Sequence, residues 1–344
     1  MSNPVSEILR RLCAAPGTSG WEDDAGAVVI DELRAHAPEA DVRRDALGNV
    51  IAFLGDKNAP CQILMDAHLD QIGLVVTHIT DDGFLRFAPI GGMDRRVLPC
   101  ASVTVYGREP LPGTIAFLPP HLTDNSDTYP EFADLAIDIG MTKEESQSLI
   151  SLGDRVCVNG PFQQLLGTRV TGAALDDRAG CAALLLCAEA LSGKPLSCGV
   201  TFTFTSREET GCEGAKTAAY AVRPTEALII DVTFGDQPGV PAEKTGKLGA
   251  GPMIGIAPSL NRAMKDHLFQ IAKDQQLPYQ IEVMGGSTGT NADNIGLSRN
   301  GIPTAMLSIP LRYMHTPAEV IDTNDVATVA AFLTAYGMGG GLFG

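Results

Sequence analysis

Carboxylates and imidazoles recur along this chain just where short apolar runs end. Asp66, His68 and Asp70 come after QILM, and Arg207, Glu208 and Glu209 come after VTFTFTS. Asp231 follows EALII, and His315 follows TAMLSIP after Leu311, Arg312, Tyr313 and Met314. Asp176 and Asp177 open the apolar stretch DDRAGCAALLLCAEAL. In open α/β sheets ligands bind beyond the carboxyl ends of strands, so these groups are candidates for a single site. Acids together with imidazoles form a ligand set for Zn²⁺, Co²⁺ or Mn²⁺. Taken singly, each has a plainer reading as a turn residue, a helix cap or a solvated acid. Taken together, they would repel one another at one sheet edge unless cations neutralised them.

Two metals would need about four to six donors and one bridging group, and a carboxylate has two oxygens with which to bridge. Such a pair acidifies a shared water and polarises a carbonyl. A carboxylate that is not a ligand must then carry the proton to the leaving amine. The adjacent acids Glu208 and Glu209 could divide these duties, one binding metal and the other holding water.

Alternating elements must position these groups. Helices are expected over residues 5–14 and from about Ser19, where S-x-x-E (Ser19, Glu22) reads as a capping box. ADVRRDALGNVIAFLG reads as two strands with a turn at Leu47, Gly48 and Asn49. From about Ile72 to Gly167 short β-like runs dominate. Asp82 and Gly83 mark a hairpin, residues 109–113 divide SVTVYG from GTIAFL, and Thr142 with Glu145 opens one short helix. After Gly172 the helices DDRAGCAALLLCAEAL, GAKTAAYAV, NRAMKDHLFQIAKDQQ and TNDVATVAAFLTAYG alternate with the strands GVTFTFTS, EALIID and TAMLSIP. This pattern predicts an α/β fold, a central sheet with helices on both faces. Residues 1–71 and 168–344 would form it, with 72–167 as an inserted β-rich domain.

With 344 residues, 44% hydrophobic and 19% charged, the chain has enough material for a sizeable core. A net charge of −16 excludes nucleic acid and anionic membrane surfaces as expected partners. The eight cysteines form no CxxC pair and read as reduced thiols. Charged residues break the N-terminal segment, and no apolar run approaches the ~20 residues of a membrane span. A cytoplasmic protein is expected.

HLDQIG (68–73), ALDDRAG (174–180), REETG (207–211), IIDVT (229–233) and RYMHTPAEV (312–320) resemble, in order and spacing, the M42 family of metallo-aminopeptidases. The likeness extends to APGTSGWE, GNVIA, PPHL, IDIGMTKEES and GIPTAMLSIP and covers nearly the whole chain. It implies a peptidase domain with an inserted barrel-like dimerisation domain, short peptides as substrates, and a homo-oligomer between a dimer and a tetrahedral dodecamer. It implies two divalent ions, zinc or cobalt with manganese as a further option. His68, Asp176 and Asp231 would hold one ion; Asp176, Glu209 and His315 would hold the other, with Asp176 bridging. Glu208 would be the general base, and Asp70 would orient His68.

Gln71, Arg207 and Asn291 depart from the family's more usual Glu, Gln and Asp, near where a substrate could bind. Arg312 has two readings, a contact for acidic substrates or a structural ion pair. Three other functions share some of these features. An N-acyl amide deacylase would use the same metals and base. A glycoside hydrolase would need two opposed carboxylates, usually without metal, and aromatic platforms, against one Trp and six Tyr here. A non-catalytic assembly protein could keep the fold.

Overall fold

The computed structural model describes residues 4–122 and 129–343. Helices α1 (Pro4–Ala14) and α2 (Asp23–His36) lead into strands β1 (Asp41–Arg44), β2 (Val50–Gly55) and β3 (Gln62–His68). Six strands follow: β4 (Gly73–Ile79), β5 (Leu85–Ile90), β6 (Ser102–Tyr106), β7 (Pro110–Ala116), β8 (Ala136–Asp138) and β9 (Arg155–Val158), with α3 (Lys143–Leu149) between the last two. The chain then forms β10 (Gln163–Gln164), β11 (Arg169–Gly172), α4 (Leu175–Leu191), β12 (Gly199–Thr205), α5 (Glu213–Val222) and β13 (Glu226–Phe234). It ends with β14 (Met253–Ile256), α6 (Arg262–Gln275), β15 (Gln280–Val283), α7 (Asn291–Ile295), β16 (Thr304–Leu311), β17 (Glu319–Asp322) and α8 (Thr323–Gly339).

Eight strands make one mixed sheet in the order β1-β2-β12-β3-β13-β16-β14-β15. Its centre, β12, β3, β13 and β16, is parallel. These strands are buried along nearly their whole length because helices cover both faces, which is why they read as continuous apolar runs. On one face α1, α2, α4, α6 and α8 bury the larger core, including Leu9, Leu33, Met65, Leu184, Phe202 and Phe332. On the other, Ala215, Ala219, Ala292 and Ile295 from α5 and α7 pack on Leu64 and Ile229. Helix α4, read from the apolar stretch DDRAGCAALLLCAEAL, is buried at almost every position.

Strands β4 to β9 close into a barrel in the order β4-β5-β8-β7-β6-β9, around a separate core of Leu74, Val103, Ile137 and Val156. The Asp82–Gly83 hairpin and the Thr142–Glu145 capping box form as expected. A small third sheet, β10-β11-β17, lies beside these two. Among the described residues, no helix is long and apolar enough to cross a membrane.

Two local expectations are corrected, and two strands are added. Helix α2 starts at Asp23, not near Ser19, because both capping-box side chains are recruited elsewhere. The Ser19 hydroxyl donates to Asp70, and the Glu22 carboxylate accepts the Gly20 and Arg207 N–H groups. Residues 110–113 do not divide two strands but begin β7, whose pairing with β8 starts only at Thr114. Pro110 and Pro112 therefore sit where the second ladder is absent and no N–H is required. Strands β14 and β15 had no counterpart in the sequence reading. Each is four residues long, and Gly255 interrupts the pattern of the first.

Candidate metal centre

The sheet gathers the acids and imidazoles at the carboxyl ends of its central strands. His68 is the last residue of β3, Glu208 and Glu209 follow β12, and His315 follows β16. Asp231 lies inside β13 rather than after it, since that strand runs on to Phe234. Asp176 stands at the mouth of α4 in an extended conformation, φ −78° and ψ 109°, before the helix winds up. The peptide bond between Asp176 and Asp177 is cis. Ala174, Arg207, Cys212, Tyr313 and His315 all have φ between 57° and 62°. Such left-handed positions concentrate strain where loops are held for function.

Two donor groups share one residue. His68, Asp176 and Asp231 offer ligand atoms within 4.8 Å of one another, and so do Asp176, Glu209 and His315. The Asp176 oxygens diverge: Oδ1 lies 3.0 Å from His68 Nε2 and Oδ2 lies 3.4 Å from His315 Nε2. His68 Nε2 is 3.8 Å from Asp231, and His315 Nε2 is 3.3 Å from Glu209. Both rings satisfy Nδ1 on a backbone carbonyl at 3.1 Å, Asp70 for His68 and Gly92 for His315. That leaves Nε2 facing the acids, the arrangement a metal-bound imidazole adopts.

The electrostatics of the cluster suit a cation. Burial opposes charge on His68, yet its bonds to Asp176 and Asp70 raise it well above an ordinary histidine. Asp176 and Glu209 push His315 up to about 11. Burial opposes ionisation of Asp176, and His315 and His68 overcome it and hold it low. Burial raises Asp231 and Glu209. Imidazole nitrogens and carboxylate oxygens thus converge where divalent ions would bind, and the donor chemistry suits such ions.

Around these donors, Asp70 gathers three chain segments. It accepts the Ser19 hydroxyl at 2.6 Å, the Glu208 N–H at 2.9 Å and the Glu209 N–H at 3.2 Å, and lies 3.5 Å from His68 Nδ1. Glu208 touches neither imidazole. Its Oε1 accepts the Cys212 thiol at 3.4 Å, and burial pushes its carboxyl up to about 7. Glu208, Glu209, Asp231 and both histidines line a cavity of about 720 Å³, along with Phe234, Glu282 and three methionines.

A model of the M42 glutamyl aminopeptidase family matches residues 48–332. The chain belongs to this family. It is 32% identical to the lysyl aminopeptidase of Pyrococcus furiosus over 93% of each chain. The TET aminopeptidase of a marine sediment Thaumarchaeota archaeon superimposes with a TM-score of 0.92 at 30% identity, covering 99% of this chain and 98% of that one. Pyrococcus horikoshii TET1 peptidase, which can assemble into a tetrahedron or a large octahedral shell, superimposes with a TM-score of 0.86 at 34% identity, over 97% and 99%. This M42 chain is thus a peptide hydrolase with the mixed-sheet and barrel architecture of the TET peptidases.

The fold brings all seven expected site residues of this M42 chain into one cluster. Arg312 is a structural residue, donating to the carboxylate and backbone oxygen of Asp236. Of the three departures, none lines the large cavity. Asn291 is buried and donates to Asp66 and Thr205 at 2.8 Å, the Arg207 N–H goes to Glu22, and Gln71 lines a small recess beside Asp176. Sequence reasoning missed Glu319. It is buried and accepts the Asp176 N–H at 3.2 Å and the His315 N–H at 3.0 Å, tying two donors from different elements. It lies inside the motif RYMHTPAEV, where nothing in residue type marked it out.

Proposed function

We propose that this chain is a dinuclear-metal aminopeptidase that removes N-terminal residues from peptides. One observation carries the reading: two groups of donors share Asp176, whose two oxygens face opposite imidazoles. His68, Asp176 and Asp231 would hold one ion, and Asp176, Glu209 and His315 the other. Zinc or cobalt suits this donor set best, with manganese also accommodated. When bound, the ions supply an acidified water and polarise the scissile carbonyl.

The protein's own groups would do the rest. Glu208 would take a proton from the attacking water and return it to the leaving amine. Its raised carboxyl, near 7, matches that exchange at neutral pH. Asp70 would hold His68 and the backbone of Glu208 and Glu209 in place at once. The mouth of the cavity would admit the peptide N-terminus.

Residues 1–71 and 168–344 would form the peptidase unit, and 72–167 the inserted barrel through which copies pair. Assembly from dimers toward a tetrahedral particle, like that of the TET1 peptidase, is part of the proposal. So is a cytoplasmic location, which the eight unpaired cysteines support.

Purified protein should be stripped with EDTA, reloaded with Zn²⁺, Co²⁺ or Mn²⁺ in turn, and assayed on aminoacyl-p-nitroanilides, N-acyl amino acids and cellulose oligomers. Metal-dependent release from aminoacyl substrates is expected. Turnover confined to N-acyl amino acids would make it a deacylase, and glycan cleavage that survives EDTA would make it a glycosidase. The cavity disfavours the latter, since among the described residues Phe234 is the single Phe, Tyr or Trp in its lining. A protein that takes up no metal would be the non-catalytic case.

A further inference from the structure

The cavity continues beyond the metal cluster along the sheet and holds two acids with no part in hydrolysis. Both oxygens of Asp293 are used by the Thr288 and Gly289 N–H groups. Glu282, on β15 at the sheet edge, is placed differently. The strand register aligns Asp231 with Ser308, Ser308 with Met253, and Gly255 with Glu282. Asp231, Thr233, Ser308, Gly255 and Glu282 therefore share one face. Gly255 carries no side chain there, so Glu282 reaches across β14 toward the middle of the sheet. Its carboxylate accepts the Ser308 hydroxyl at 2.6 Å and also the Thr233 hydroxyl.

Thr233 lies two residues past Asp231 on the same face, a rise of roughly 7 Å. The Glu282 carboxylate thus stands about one extended side chain from the proposed metal ligand. It has about four acceptor positions, and the hydroxyls use two. Among the described residues, no lysine or arginine lines the cavity, and Arg312 is committed to Asp236. Met284, Met306 and Met314 supply flexible apolar walls suited to an alkyl stem.

We propose that this cavity selects a basic N-terminal residue, lysine or arginine, with its stem along the methionines and its cation on Glu282. The inference rests on the aminopeptidase reading above. It runs against a glutamyl preference, because an acidic side chain would meet Glu282 with no cation to balance it.

The test compares kcat/KM of metal-loaded enzyme on lysyl-, arginyl-, norleucyl-, leucyl- and glutamyl-p-nitroanilides. Norleucine keeps the stem of lysine without its charge. Lysyl should exceed norleucyl by about ten- to a hundredfold, the range for a hydrogen bond to a charged group. Glu282→Gln should bring the lysyl-to-norleucyl ratio near one, and Glu282→Lys should turn the preference toward glutamyl. Should either variant fold poorly, inhibition of the wild-type enzyme by free lysine and by norleucine makes the same comparison, with lysine the tighter. Norleucyl or glutamyl cleaved as well as lysyl overturns the inference, as does lysyl selectivity retained in Glu282→Gln. Turnover of none of the five overturns the peptidase reading itself, and this inference with it.

Discussion

Glu208 and Glu209 are adjacent acids with different surroundings, and the difference is testable. Glu209 lies 3.3 Å from His315 Nε2, whereas the Glu208 side chain accepts the Cys212 thiol and, among the described residues, makes no ion pair with either ring. Glu208→Gln should retain two ions per chain by elemental analysis while kcat falls by about 10² to 10⁴, the usual worth of a positioned general base. Metal lost on Glu208→Gln but kept on Glu209→Gln would show the roles reversed. The donors themselves were legible in the sequence because acids and imidazoles at strand ends have few other uses in combination. Their supports were not. Ser19 and Glu22 looked like a local helix cap and instead bond Asp70 and Arg207, across distances that sequence spacing does not carry. Glu319 is likewise an ordinary acid until folding sets it beneath Asp176 and His315.

At the scale of elements, the loop that follows β5 brings the barrel to the site. A Cβ on Gly92 would lie 2.6 Å from His315 Nδ1. The Gly92 backbone is not left-handed, so alanine is refused by space alone. Gly92→Ala should therefore displace the His315 ring and weaken metal uptake, measured as lower ion content after dialysis, with far-UV circular dichroism unchanged. Full metal content in that variant would show the ring free to move. Near the start of α8, Asp325 accepts the N–H groups of Gly249 and Gly251, and burial raises its carboxyl to about 6. Unfolded, it would titrate near ~3.9. The folded state thus binds this proton more tightly, so its stabilisation is complete below pH ~4 and lost as pH rises through about 6. The stability difference between wild type and Asp325→Asn, from urea unfolding, should decline over that window by on the order of 2 kcal/mol. A flat difference would count against the burial argument. Long buried strands and helices were legible because their apolar runs are continuous. β14 and β15 were not: each has only four residues, Gly255 breaks the apolar run of the first, and the second, at the sheet edge, is nowhere fully buried.

For the whole molecule, the alternation of helix and strand after Gly172 and the β-rich run before it identified an α/β sheet and an inserted β-rich unit; that the first is a peptidase sheet and the second a barrel was implied only by the family resemblance. The chain's net charge of −16 will oppose close packing of copies at low ionic strength. If the barrel pairs copies as proposed, light scattering should give a multiple of the 36.2 kDa chain mass, more complete at 0.3 M salt than at 20 mM. A monomer at both salts would remove assembly from the account. Leu118, Leu122 and Tyr129 are exposed on the barrel side of the chain and belong among the first positions to examine for subunit contacts.

Glu282 sits on the outermost strand of the sheet, with β14 its sole neighbour. The side chains assigned to hydrolysis come from the central strands, from α4 and from the loops beyond them. The cation contact proposed for selectivity is thus mounted on a different strand from the groups proposed for hydrolysis, while Met306 and Met314 lie close to both. Glu282 is itself no proposed metal ligand, and its carboxylate meets the inner strands through the Thr233 and Ser308 hydroxyls. If the cavity selects as proposed, exchanging this one edge residue would change which peptide ends are taken while leaving every proposed ligand in place.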